Sequence, residues 1–233
     1  PHSIKSSLVE GIYEVDIDTQ FLDGEMVYGE IYIPGVSKRE VLFSTYICHP
    51  SMANNEISGP TVQAYLANFI AKKKNLRHSY RLLFLPETIG AISYISENLQ
   101  ELKNNVVAGW VLTCVGDDRS YSFLPSRSSN SLSDKISKEL LDELNVKYRE
   151  FSWLDRGSDE RQYCSPGVDL PVSSIMRTKY GEYPEYHTSD DTLGGVVTES
   201  GLFGSYTLYS RLVEKIENED FPRSTILCEP QLG

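Results

Sequence analysis

Three short segments carry side chains able to do acid–base or metal chemistry: Cys48-His-Pro-Ser-Met-Ala-Asn-Asn-Glu-Ile-Ser-Gly59, Pro86-Glu-Thr-Ile-Gly90 and Glu185-Tyr-His-Thr-Ser-Asp-Asp-Thr192. Imidazole nitrogens such as those of His49 and His187 suit zinc-like cations, and amide or carboxylate oxygens can complete the ligand set. Glu87 has the chemistry of a general base, a role that needs a carboxylate close to an activated water but not bonded to the metal. Asp190 or Asp191 could accept the second N–H of His187 and fix its ring. Plainer roles exist for all of them. His49, extended at a strand rim by the following proline, could bond a neighbouring loop. Residues 54–56 could cap a helix, Glu87 could sit at a helix's positive end, and His187 could be a pH-sensitive surface residue.

These segments need a frame that brings them together. Residues 11–18 and 26–33 alternate apolar and polar side chains around Leu22-Asp-Gly24, which predicts a hairpin. The apolar run 41–48 predicts a strand buried on both faces. Ser58 then reads as the N-cap of a helix over 61–72, in which Val62, Leu66, Phe69 and Ile70 repeat at helical spacing. The alternation continues with a strand over 80–85, a helix over 89–102, a strand over 106–115, a helix over 132–144, a short strand over 170–175 and a closing helix over 201–216. Strands joined by helical crossovers imply a mostly parallel mixed sheet covered on both faces, an α/β three-layer sandwich. Ligands gather at the carboxyl ends of such strands, where all three segments fall. One domain spans the 233 residues, with a polar tail over 217–233.

The order of these segments resembles the motif set of the di-zinc aminopeptidases, within the zinc exopeptidases. More closely, Cys48-His-Pro-Ser, Leu85-Pro-Glu-Thr-Ile-Gly90 and Cys114-Val-Gly-Asp-Asp118 resemble an aminopeptidase-like family linked with surface-polysaccharide gene clusters. The resemblance covers roughly residues 11–215. It implies the zinc-exopeptidase (phosphorylase/hydrolase-like) fold, with zinc ligands at His49, Asn55 and His187, and Glu87 as base. In the wider family the positions of Asn55, Thr88 and Thr113 carry metal-binding carboxylates; here all three are neutral. Two cations about 3.5–4 Å apart need anionic ligands between them, so the expectation is one zinc rather than two. Its third ligand would be an oxygen of Asn55, Glu87 or Asp117. Asp117, Asp159 and Asp191 are the expected supporting or substrate-contacting carboxylates. Arg119, Arg127, Arg161 or Arg177 could pair with an acidic substrate group.

The expected activity is therefore metal-dependent hydrolysis of an amide bond in a peptide or other small molecule. Two alternatives stand beside it: a ligand-binding domain that has lost its metal, and a metal-free acyl transferase or cyclase on the same scaffold. A net charge of -11 and a pI near 4.9 oppose nucleic-acid binding. The basic run at Lys72 to Lys74 with Arg77 reads as a solvated helix end. No apolar run is long enough for a membrane span, and no signal peptide is expected. The scattered cysteines Cys48, Cys114, Cys164 and Cys228 read as free thiols, which together favours the cytoplasm. Exposed strands of the first hairpin leave an oligomer open, and the start at Pro1 suggests a trimmed piece of a longer protein.

Overall fold

Every residue of strand β2 (Glu40–Tyr46) is buried, as expected of a strand covered on both faces, and its polar residues Glu40, Ser44 and Thr45 are hydrogen-bonded. Val41 and Phe43 face one core; Leu42 faces the other. The structure, a computed structural model, describes residues 2–218 and 220. Around β2 lie β1 (Gly29–Ile33), β3 (Ser79–Leu85), β4 (Val106–Val111), β5 (Tyr121–Leu124), β6 (Tyr148–Glu150) and β7 (Val172–Met176), in the order β1-β3-β2-β4-β7-β5-β6. The four central strands β3, β2, β4 and β7 are parallel, while β1 and β5 join them antiparallel and β6 pairs parallel with β5.

The helices are α1 (His2–Ser7), α2 (Ser58–Ala71), α3 (Ile89–Asn105), α4 (Leu132–Glu143), α5 (Glu160–Tyr163) and α6 (Glu199–Asn218). Helices α2, α4 and α6 cover one face, where Phe43 stacks on Trp110 with ring centroids 5.7 Å apart. Helices α3 and α5 cover the other face, around Leu42, Leu83, Tyr94 and Tyr163. This is the expected α/β sandwich, with a seven-stranded mixed sheet. Gly59 lets α2 close on the end of β4, because a Cβ there would collide with the Leu112 carbonyl and the Thr45 hydroxyl.

Several local expectations are corrected. Residues 11–18 form no strand, and of the second alternating stretch only Gly29–Ile33 does, pairing with β3 instead of closing a hairpin. Alternation stabilises a strand only where one face is covered; Ile12, Val15 and Ile17 are exposed and no described element covers them. Ser58 is no N-cap. A π-helical turn (Ala53–Ile57) runs straight into α2, and the Ser58 hydroxyl donates to the Asn54 carbonyl and accepts from the Val115 amide. Strands β5 and β6 and helix α5 escaped the periodicity because they are three or four residues long. Glu217 belongs to α6, its carboxylate accepting from Tyr80 Oη at 2.7 Å, so the helix extends into the expected tail. The rest of that tail, with Cys228, lies outside the described residues. Cys48, Cys114 and Cys164 are free.

Candidate metal centre and general base

Strand β2 crosses over to β3 on one side and β4 lies on its other side, so the connections diverge at the carboxyl end of β2. Such a switch point opens a crevice between loops. His49 follows β2, Glu87 follows β3, Thr113 and Cys114 follow β4, and His187 lies in the loop after β7.

Two imidazoles meet there: the rings of His49 and His187 have centroids 4.7 Å apart. Glu56, 1% exposed, binds His49 Nδ1 through Oε1 at 2.7 Å and accepts the Cys48 amide through Oε2 at 2.8 Å. The carboxylate thereby fixes the ring with its Nδ1 proton toward Glu56 and leaves the Nε2 lone pair to face the crevice as a metal ligand or hydrogen-bond acceptor. His187 Nε2 lies 3.1 Å from Asn55 Oδ1. Tyr186 stacks on the His187 ring at 3.9 Å between centroids. Asn55 is oriented from behind, its amide nitrogen donating to Tyr46 Oη at 2.9 Å, which lies 2.6 Å from Thr113 Oγ1.

For a single zinc these residues fit. Two imidazoles and an amide oxygen converge, and the proton between His187 Nε2 and Asn55 Oδ1 is the one a cation would replace. A second donor set overlaps the first: ligand atoms of Cys48, His49 and Glu56 lie within 4.8 Å of one another. For two zincs the fit fails, because Asn55 is an amide and Thr113 is buried in hydrogen bonds to Tyr46 and the Asn55 carbonyl.

Glu87 stands in a turn of unusual geometry. Thr88 has φ 63 and ψ -70, and the Ile89 amide donates to the Glu87 carbonyl at 2.7 Å. This is the rare positive-φ γ-turn, a strained shape that persists only when its surroundings hold it. Asp159 Oδ1 accepts the Thr88 amide at 2.7 Å, and an Arg161 guanidinium nitrogen donates to Thr88 Oγ1 at 2.8 Å. Burial raises the pKa of Glu87 and Glu56 adds to it, while Arg161 and His49 oppose. A half-buried carboxylate of raised basicity suits proton abstraction.

The carboxylates expected to support the site do so indirectly. Asp191 makes no hydrogen bond to His187 among the described contacts; its two oxygens instead accept the amides of Asn54 at 2.7 Å and Asn55 at 3.1 Å, anchoring the first turn ahead of α2. Asp190 is exposed. Asp117 is no third ligand, since its oxygens already accept from Asn54, Arg119 and Thr178. Asp159 is fully buried, and its Oδ1 holds the Glu87 turn through the Thr88 amide. Of the four arginines only Arg161 lies beside Glu87: Arg119 is paired with Glu185, Arg127 with Asp169, and Arg177 stacks 3.9 Å over Tyr121. Glu56, weighed in the sequence only together with Asn54 and Asn55, and Cys48 were not singled out as site residues, although both lie within the first chemical segment and beside His49.

The three-layer α/β sandwich is a fold shared with zinc aminopeptidases of known structure. The chain belongs to the family described as domain of unknown function DUF4910, which matches residues 10–219. A Clostridium acetobutylicum protein named for polysaccharide biosynthesis and an aminopeptidase-like domain is 41% identical over 227 residues, covering 97% of this chain and 51% of that protein. A C. acetobutylicum crystal structure named as a peptidase superposes with a TM-score of 0.79 at 41% identity, covering 88% of this chain and 48% of that one. This chain thus spans about half the length of these relatives. A zinc aminopeptidase of Bacillus subtilis shares the fold at a TM-score of 0.67 and 15% identity, over 83% of this chain and 50% of that one. So does a glutaminyl cyclase of Porphyromonas gingivalis, at 0.66 and 14%, over 80% and 75%. Among the described residues no helix is long and apolar enough to cross a membrane.

Proposed function

We propose that this domain hydrolyses an amide bond of a peptide or other small molecule, with one zinc ion held by His49, His187 and the Asn55 amide oxygen. The observation that carries the proposal is the convergence of the two imidazoles at 4.7 Å, beside the raised-pKa carboxylate of Glu87. Bound there, zinc would act as a Lewis acid on the scissile carbonyl and acidify the attacking water. Glu87 takes the proton of that water and returns it to the departing amine. Glu56 keeps His49 in one tautomer, and the Asp159 and Arg161 contacts hold the turn that carries Glu87. The exposed rim at His187 leaves a path for substrate.

The test is Glu87→Gln, assayed on a panel of aminoacyl and N-acyl amide substrates alongside zinc content. Turnover should fall by at least about a hundredfold with zinc content unchanged. Full activity in that variant would remove Glu87 from the mechanism. A second reading rests on the hydrogen bonds linking His187 to Asn55, Asn55 to Tyr46, and Tyr46 to Thr113: a pocket already satisfied by neutral contacts can serve a binding domain without metal. That reading expects no turnover in the unaltered protein and no zinc.

A further inference from the structure

At the opposite edge of the sheet, where β4 begins, the end of α3 and the start of α4 frame a cleft of about 1070 Å³. Its rim carries three cations, Arg39, Lys103 and Lys135, against one acid, Asp169. A chain with 22 basic and 33 acidic residues would by chance line a cleft with net negative charge; this one reverses the balance. Asp169 offsets part of the Lys103 charge through space, but among the described residues it forms no ion pair with any of the three cations. It is paired with Arg127, which lines an adjoining hollow sharing Ser131, Leu170 and Pro171 with the cleft. The contact with Arg127, helped by the Gly167 amide, holds the Asp169 carboxyl below its ordinary range. Lys103 is braced by the Gly167 carbonyl at 2.8 Å. Among the described residues, Arg39 and Lys135 form no ion pair.

The floor is apolar, made by Val106, Val168 and Pro171. The first turn of α4 also opens into the cleft at Asn130 and Ser131. The nearby carboxylate of Asp134 is consumed by the amides and hydroxyls of Ser126 and Ser131 and does not reach the rim. We propose that this cleft is a second binding site, for a small phosphorylated ligand whose sugar or base ring rests on the apolar floor while Arg39 and Lys135 hold the phosphate. The site shares no residue with the candidate metal centre and does not depend on what that centre does.

The test is calorimetric titration of the intact protein with uridine diphosphate, with inorganic pyrophosphate as the ring-less comparison. Saturable binding of the nucleotide is expected, weakened at least about tenfold in Arg39→Gln/Lys135→Gln and unchanged in His49→Ala. Pyrophosphate should bind more weakly than the nucleotide. Circular dichroism and the unfolding midpoint establish that each variant is folded, and the single variants Arg39→Gln and Lys135→Gln replace any double variant that is not. Absence of saturable binding at millimolar nucleotide, or equal binding by the folded double variant, overturns the site. Loss in His49→Ala would move the binding to the other edge, and equally tight pyrophosphate would overturn the role given to the floor.

Discussion

Asp159→Asn isolates the electrostatic cost of the carboxyl group beneath the Glu87 turn. Asp159 is fully buried, and burial is the main cause that raises its pKa from 3.8 to about 7, with the Thr88 amide opposing and Glu87 and Glu160 adding. A carboxyl with a raised folded-state pKa holds its proton more tightly folded than unfolded. Its stabilising contribution is therefore complete below 3.8 and is lost as pH rises through about 7. That span corresponds to about 4 kcal/mol once the group is fully ionised. Asparagine keeps an oxygen for the Thr88 amide and carries no charge. The variant should thus gain on the unaltered protein between about pH 4 and about pH 8, approaching that figure at the upper end. Any penalty for the new amide N–H groups is independent of pH, so the readout is the slope of the difference and not its absolute value. Urea unfolding followed by the fluorescence of Trp110 and Trp153 measures it across the range. A difference that stays constant within about 0.5 kcal/mol would refute the reasoning, because an ordinary surface substitution does as little.

Two further substitutions probe stability at other points. Arg81→Met strips the partner from Glu40, 1% exposed and held by the guanidinium at 2.7 and 3.1 Å. It should cost about 3–5 kcal/mol in chemical denaturation, and Arg81→Met/Glu40→Met should recover most of it; equal loss in both variants would contradict this. Thr88→Gly relieves the positive-φ turn at φ 63. It should raise stability by about 1 kcal/mol, and a marked loss would show that the Arg161 contact, not strain, dominates there.

The parts of the fold set by continuous burial were legible in the sequence. The β2 run, the helical spacing of Val62, Leu66 and Ile70, and the strand over Tyr80 to Leu85 all lie where apolar periodicity places them. His49, Glu87 and His187 were legible for a related reason: each is a polar residue in a loop downstream of a strand of a parallel sheet, and the sheet gathers such loops. What stayed hidden depends on contacts across long stretches of chain. Asp191 anchors the amides of Asn54 and Asn55 from a loop more than 130 residues away, so its proximity to His187 in sequence suggested the wrong partner. Asp117 looked available until its four hydrogen bonds were seen. The alternation over residues 11–18 promised a strand, but period alone does not supply a neighbour to pair with.

Zinc titration of the metal-free protein, repeated on His49→Ala and Glu87→Gln, tests the central claim most directly. The account predicts one equivalent bound by the unaltered protein and by Glu87→Gln, and none by folded His49→Ala. Two equivalents, undiminished binding in His49→Ala, or no binding by the unaltered protein would contradict it.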